Sequence, residues 1–284
     1  MEETTPGTLY LVATPIGNLG DISARAAETL RSVDFIAAED TRVTRKLLAH
    51  LNIKKQLVSY YEHNRKESGD KIITRILSGE NCALVSDAGT PGISDPGEDL
   101  VRLCIETGVP TFTVPGPSAV VAALALSGLP AGRFTFEGFL STARKSRFEH
   151  LNELKTEKRT MVFYEAPHKL ERTLNDMLAV FGDRRVSISR ELTKLYEETT
   201  RCTLSEACAH FGTTPPRGEF VLVIEGYRDE SAPDTGLEEA AATAILYIES
   251  GMTVKDAVKK ASEETGASKN KLYGAVVHQD KCKV

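Results

Sequence analysis

Ser86-Asp-Ala-Gly-Thr-Pro-Gly-Ile-Ser-Asp-Pro-Gly97 follows directly on the apolar run Cys82-Ala-Leu-Val85. A short strand therefore ends in a loop that holds three glycines and two prolines. Glycine reaches φ > 0 and lets a ligand approach the main chain, while proline freezes the rest, so such a loop has little disorder to lose on binding. Tyr10-Leu-Val-Ala-Thr-Pro-Ile-Gly-Asn18 and Phe112-Thr-Val-Pro-Gly-Pro-Ser118 are two further transitions of the same kind. Three strand ends then face one crevice, where open parallel sheets bind ligands.

Working outward, Thr8 to Ala13, Phe35 to Ala38, Leu57 to Tyr60, Cys82 to Val85 and Thr111 to Val114 read as short apolar strands. Ile22 to Val33 and Thr41 to Leu51 carry apolar residues at helical spacing between them. This alternation predicts a parallel α/β sheet over residues 1–117. A second α/β domain over 118–226 starts with a helix at Ser118 to Leu126 and continues with strands at Phe134 to Phe139, Thr160 to Tyr164, Val186 to Ser189, Glu197 to Thr203 and Phe220 to Ile224. The last strands include two with no long helix between them, which predicts a mixed sheet. Residues 226–236 have the composition of a linker, and 236–284 read as a small helical module with helices at Leu237 to Glu249, Val254 to Glu264 and Lys269 to Gln279. The turn Gly266-Ala-Ser268 gives the last two a helix-turn-helix outline, which suits either nucleic-acid contact or plain packing.

A chain of 284 residues, 41% of them hydrophobic, can bury one or two sizeable cores. Five cysteines without a Cys-x-x-Cys suggest a reducing compartment and no zinc site, and Cys82 and Cys104 fall in apolar runs as core residues. No apolar stretch reaches the roughly 20 residues of a membrane span, and Met1-Glu-Glu does not start like a signal peptide. The expectation is a soluble, cytoplasmic protein with no membrane partner. There is no Gly-x-Gly and no Gly-Lys pair, which argues against NAD and ATP as ligands. The net charge of −5 argues mildly against nucleic acid, because phosphate affinity comes from lysine and arginine. Charge is local, however: Arg144-Lys-Ser-Arg147 is a basic run, and residues 252–284 hold seven lysines against four acids. By composition alone, both suit solvated faces.

The ordered set Thr14-Pro-Ile-Gly-Asn18, Ala38-Glu-Asp-Thr-Arg42, Ser86-Asp-Ala-Gly-Thr-Pro91, Asp95-Pro-Gly97, Pro115-Gly-Pro-Ser118, Glu137-Gly-Phe-Leu140, Phe163-Tyr-Glu-Ala-Pro-His168, Arg190-Glu-Leu-Thr-Lys194 and Gly218-Glu-Phe220 resembles the tetrapyrrole methylase superfamily of S-adenosyl-L-methionine-dependent methyltransferases. Within it, the chain is most similar to the branch that methylates a cytidine ribose 2′-oxygen in 16S ribosomal RNA. The resemblance covers roughly residues 8–226. It implies two α/β domains with S-adenosyl-L-methionine in the crevice between them, a decoding-site cytidine in the small ribosomal subunit as acceptor, and a homodimer. It places Pro15, Asp87, Ala88, Gly89, Ile93 and Ser118 on one side of the cofactor, and Leu140, Ala166, Pro167, Glu219 and Phe220 on the other. S-adenosyl-L-methionine has no phosphate, in keeping with the missing phosphate-binding motifs.

Methyl transfer to a ribose hydroxyl needs collinear placement and a group that takes the proton. Asp40 is the first candidate base, with Arg42 lowering its pKa or anchoring a phosphate; a helix N-cap with an arginine partner is the structural alternative. Glu165 and His168 form a second candidate pair, although Pro167 equally suits a plain helix start. Arg190, Glu191 and Lys194 form a third cluster that reads better as ion pairs. Arg144, Lys145 and Arg147 are the candidate RNA contacts, with the lysine-rich end of the chain. A methylase of the same fold acting on a tetrapyrrole or a protein side chain, and a non-enzymatic RNA-binding protein, are the other readings the residues allow.

Overall fold

The computed structural model describes residues 5–228 and 235–280, so most of the expected linker, at 229–234, lies outside the described residues. Two compact units divide the chain, residues 1–227 and 228–284. In the first unit β1 (Leu9–Val12), α1 (Ala24–Ser32), β2 (Phe35–Ala38), α2 (Thr41–His50), β3 (Gln56–Ser59), α3 (Arg65–Leu77), β4 (Cys82–Val85), α4 (Gly97–Thr107) and β5 (Thr111–Val114) build a parallel sheet in the order β3-β2-β4-β1-β5. There follow α5 (Ala119–Ser127), β6 (Phe134–Phe139), α6 (Arg144–Glu153), β7 (Thr160–Glu165), α7 (Pro167–Phe181), β8 (Arg185–Arg190), β9 (Glu198–Thr203), α8 (Leu204–Phe211) and β10 (Phe220–Ile224). The second sheet runs β6-β7-β10-β8-β9 and is mixed as expected: β6 and β7 are parallel and the other neighbours antiparallel.

Alternation along each strand divides the first core into two layers. Phe35 and Ala37, with Cys82 and Leu84, face Ile72, Ile76 and Leu100 of α3 and α4. Ile36 and Ala38, with Ala83 and Val85, face Ala26 and Leu30 of α1 and Leu48 of α2. Such a sheet is covered on both faces, which is why its strands read as unbroken apolar runs. Cys82 and Cys104 are indeed core residues, fully buried and unbridged.

In the second sheet Met161, Phe163, Phe220 and Leu222 pack on Leu170, Leu174 and Met177 of α7. Their neighbours Val162, Val221 and Val223 face Val120, Ala123 and Leu124 of α5. Although α5 directly follows the first sheet, it thus seals the second. Ile16, from the loop after β1, joins the same cluster and ties the two sheets together.

The second unit contains α9 (Thr235–Glu249), α10 (Val254–Thr265) and α11 (Lys269–Asp280). Small residues, Ala240, Ala244 and Ala261, with Val258, Leu272 and Val276, make its core. Thr253 caps α10 by accepting from the Asp256 N–H, and Gly266 ends it at φ 74°. No helix among the described residues is long and apolar enough to cross a membrane.

One expected surface contact is overturned. Arg147 is only 2% exposed: its Nε donates to Asp176 of α7 at 2.7 Å, and its Nη1 to the carbonyls of Ser141 and Thr142 at 3.0 Å each. It pins α6 to α7 and the preceding loop, and no phosphate can reach it. Arg144, stacked over Phe148, and Lys145, paired loosely with Glu149, stay exposed. Removing one partner of a buried ion pair leaves the other charge uncompensated. Arg147→Met should therefore lower unfolding free energy in urea by about 3 kcal/mol, whereas Lys145→Met should change it by no more than about 0.5 kcal/mol.

Candidate functional site

The loops after β1, β4 and β5 meet at the C-terminal edge of the first sheet. Thr14 donates its N–H to the Gly89 carbonyl at 2.8 Å, and Gly89 returns its own N–H to the Thr14 carbonyl at 3.1 Å. The Thr14 hydroxyl donates to the Ser86 carbonyl at 3.3 Å, and the Thr90 hydroxyl to the Pro117 carbonyl at 3.2 Å. All three loops are thereby joined. Within the long loop, Asp95 Oδ1 accepts from the N–H groups of Gly92 at 2.8 Å and Gly97 at 2.7 Å, which fixes the turn bearing exposed Ile93. Gly89 and Gly92 both have φ 84°, and Ser94 between the turns has φ 65°.

Across from these loops stand the ends of the second sheet. A β-bulge lies between Phe136 and Gly138 of β6, and Gly138 has φ 62°. A Cβ built there would stand 3.6 Å from Ser94 Oγ, so the bulge comes close to the β4 loop. Similarly, Gly17 abuts Leu192, Thr193 and Lys194. Lys194 Nζ bridges Glu191 at 2.9 Å and Glu219 at 3.0 Å, confirming the ion-pair reading of that cluster. Gly218 is required at its position: φ is 87°, and a Cβ would fall 2.6 Å from Glu191.

Pro15, Asp87, Ala88, Gly89, Ile93 and Ser118 all lie on the three joined loops, Ser118 at the N-terminus of α5. Ala166 and Pro167 open α7 at the end of β7, and Glu219 is exposed beside β10. Leu140 and Phe220 have side chains buried in the second core, so their main chain is what they present.

Of the candidate bases, Glu165 does not stand. It is 3% exposed, and its two oxygens accept from the Ala166 N–H at 2.8 Å and the Thr173 hydroxyl at 2.6 Å, which makes it an internal brace for the first turns of α7. His168, in contrast, is exposed on the first turn of α7. Asp40 takes the capping role: it accepts from the Arg42 N–H at 2.7 Å and is held by the Arg42 guanidinium, also at 2.7 Å. Those Arg42 hydrogen bonds hold its carboxyl down at about 2. Such a carboxylate is a weak proton acceptor.

Its neighbour Glu39, which sequence reasoning passed over, behaves in the opposite way. Burial first, and then the charge of Asp87, push its carboxyl above the ordinary glutamate value. Glu39 Oε2 lies 3.4 Å from the Asp87 N–H, and Asp87 Oδ1 accepts from the Asp40 N–H at 2.9 Å. Burial also raises the Asp87 carboxyl, only partly offset by that N–H. Strand ends β2 and β4 thus present a crowded group of carboxylates at the joined loops. The only sequence signal for Glu39 is its place as the first residue past β2.

The family model for Tetrapyrrole (Corrin/Porphyrin) Methylases matches residues 8–208. The chain is 47% identical over 268 residues to "Ribosomal RNA small subunit methyltransferase I" of Synechocystis sp., covering 94% of this chain and 96% of that protein. It is 46% identical to the protein of the same name from Bacillus subtilis, covering 95% and 94%. Among solved structures, uroporphyrin-III C-methyl transferase from Thermus thermophilus, complexed with S-adenyl homocysteine, matches with a TM-score of 0.56 at 19% identity, covering 77% of this chain and 97% of that one. The cobalamin biosynthetic enzyme cobalt precorrin-4 methyltransferase matches with a TM-score of 0.55, also at 19% identity, covering 76% and 94%. At that identity the two structures speak for the fold alone.

The Gly89 conformation can be tested directly. A Cβ there meets only ordinary contacts, Ile16 Cγ2 at 3.5 Å and the Pro117 carbonyl at 3.8 Å, so the cost of a side chain is its left-handed backbone. Gly89→Val should lower thermal stability by about 1–3 kcal/mol. Gly132→Val, where no atom lies within 4 Å and φ is not left-handed, should leave it nearly unchanged in the same calorimetric scan.

Proposed function

Because this chain belongs to the tetrapyrrole (corrin/porphyrin) methylase family, we propose that it transfers the methyl group of S-adenosyl-L-methionine to the ribose 2′-oxygen of a decoding-site cytidine in 16S ribosomal RNA, acting on the small ribosomal subunit as a homodimer. The observation that carries the reading is similarity along nearly the whole length, at 46–47% identity, to relatives named for small-subunit ribosomal RNA.

The joined loops suit such a donor. Glu39 and Asp87 favour a cation over a phosphate, and their raised proton affinity is what a positive ligand would relieve. Exposed Ala88 and Ile93 flank the opening, Gly89 shapes the loop with its own N–H and carbonyl taken by Thr14, and Pro15, Ser118, Ala166, Pro167 and Glu219 frame the opening, with Leu140 and Phe220 contributing backbone at its far side. When bound, S-adenosyl-L-methionine supplies a methyl group already activated on a sulfonium. The protein's task is then placement, which can contribute about 7–11 kcal/mol, and removal of the 2′-hydroxyl proton.

Glu39 takes that proton in this reading. Asp40, locked to Arg42, orients the start of α2 instead, and His168 lines the opposite lip. Exposed Arg144 and Lys145, together with the lysines of α10, serve as outlying phosphate contacts.

Calorimetry with S-adenosyl-L-methionine and radiolabelled methyl transfer to isolated small subunits test the reading. Binding of the donor with transfer to subunits, and none to a porphyrinogen, is the expected result; transfer to the porphyrinogen alone would overturn the RNA acceptor, and no donor binding would overturn the enzyme. Glu39→Gln should lower kcat by roughly 10²- to 10⁴-fold with donor affinity changed far less, while Asp40→Asn should cost about tenfold or less. Since the Glu39 pKa lies above the ordinary glutamate value, the wild-type rate should climb with pH as this carboxyl ionises. That acid limb should vanish in Glu39→Gln.

A further inference from the structure

The stretch Thr41 to Lys55 carries five cationic residues, Arg42, Arg45, Lys46, Lys54 and Lys55, and no acidic one, in a chain whose net charge is −5. Elsewhere cations are interleaved with acids on the same helices: Lys71 pairs with Glu67, Arg102 with Asp99, and Lys145 with Glu149. Helical spacing gathers the exception onto one face. Thr44, Leu47 and Leu48 are buried against the sheet, so Arg42, Arg45, Lys46 and Ala49, at i, i+3, i+4 and i+7, form an exposed stripe.

Only Arg42 is neutralised, by Asp40; Arg45, Lys46 and Lys54 are exposed and make no ion pair among the described residues. Beyond α2 the stripe runs into an open cleft of about 730 Å³ at the free edge strand β3. Arg45, Asn52, Lys54 and Lys55 rim it over a floor that includes Leu48 and Leu57. The Lys55 amine donates to the Val33 carbonyl, and the Arg31 guanidinium to the Leu51 carbonyl at 3.3 Å, which brings a further cation to its border. The other end of the stripe is anchored at the site, since the Asp40 N–H that opens α2 donates to Asp87.

We propose that this face, from the start of α2 to the β3 cleft, is the track on which the phosphate backbone of the acceptor RNA lies. The inference rests on the ribosomal RNA reading above and adds the surface that holds the strand. A polyanion entering the site must pass the carboxylates of Glu39 and Asp87, which repel it. The adjoining face offers the unpaired charges of Arg45 and Lys46 about midway along the helix and of Lys54 beyond its end, with no acid between Thr41 and Lys55. Salt-dependent phosphate contacts of this kind position a strand while the site selects the nucleotide.

The test compares Arg45→Gln/Lys46→Gln/Lys54→Gln with wild type in binding and methylation of isolated small subunits over a range of salt. Each lost phosphate contact removes about 0.7 from the slope of log affinity against log salt for a single strand, so the slope should become shallower by about 2. The KM for subunits should rise about tenfold or more at low salt, with kcat at saturation and affinity for S-adenosyl-L-methionine unchanged. An equal charge change on the opposite side of the sheet, Lys66→Gln/Lys71→Gln/Arg102→Gln, should leave the KM near the wild-type value. Lys46 replaced by a photoreactive benzoylphenylalanine should crosslink to 16S RNA. An unaltered slope and KM in the first variant, or crosslinks to ribosomal protein alone, would overturn the track while leaving the methyltransferase intact. A wild-type enzyme that fails to methylate subunits would remove the function and the track together.

Discussion

The reciprocal hydrogen bonds between Thr14 and Gly89 are the constraint on which the site depends. They form an isolated bridge between two loops that leave neighbouring strands, outside the regular ladder. Thr14 is 3% exposed, so water cannot replace its partner, and losing the pairing would strand buried polar groups. The pairing requires left-handed backbone at Gly89, and the prolines and glycines on either side make that conformation inexpensive to hold. With Thr90 bonded to Pro117, the β5 loop is carried along. A ligand meeting these loops finds their geometry already set, so little ordering entropy opposes binding.

The same junction determines how the two sheets are joined. Ile16 lies two residues past Thr14 and packs with Val120, Val162, Leu192 and Val221 in the core beneath α5. The bridge that shapes the ligand loops therefore also holds an apolar anchor in the opposite half. Gly17, packed against Leu192 to Lys194, extends that contact to the segment whose lysine bridges Glu191 and Glu219. Residues Glu191 and Thr193, at φ 50° and 67°, hold left-handed conformations that side chains usually avoid, and they sit beside the site. Strain of that kind persists where surrounding packing fixes it.

What could be read from the residues alone follows from the range of the interactions involved. The strands were legible because each is a short apolar run closed by turn residues, and the ligand loops because proline and glycine act locally on the backbone. Side-chain roles that depend on distant partners were not. Arg147 sits in a basic run and looks like its neighbours, yet helical rotation turns it toward Asp176, 29 residues away, while Arg144 and Lys145 remain outside. Glu165 is braced by Thr173 of the next helix, which no local pattern announces. Glu39 and Asp40 are adjacent acids, and the difference between them is which one meets Arg42 and which one stands half-buried beside Asp87. The basic face of α2 is not legible in the sequence because its charges are divided between Arg42, Arg45-Lys46 and Lys54-Lys55 with apolar residues between them, and they come to one face only when the helix is built.

Opposite charges placed side by side also resolve how a chain of net charge −5 can favour a polyanion at one location. Charges interact over a screening length of about 8 Å in physiological salt, whereas α2 extends about 15 Å from the carboxylates at its start. Lys54, beyond the far end of α2, thus acts on a phosphate with little interference from Glu39 and Asp87, and the Asp40–Arg42 pair stands between those acids and Arg45 and Lys46. An RNA strand drawn to the far end of the helix is repelled by the near end unless it presents a neutral group there. In the proposed reading the ribose hydroxyl is such a group, so that phosphates lie along α2 while sugar approaches the acids. Net acidity elsewhere on the surface works against unproductive contacts with a polyanion, so that the proposed track on α2 and the outlying cations carry the attraction between them.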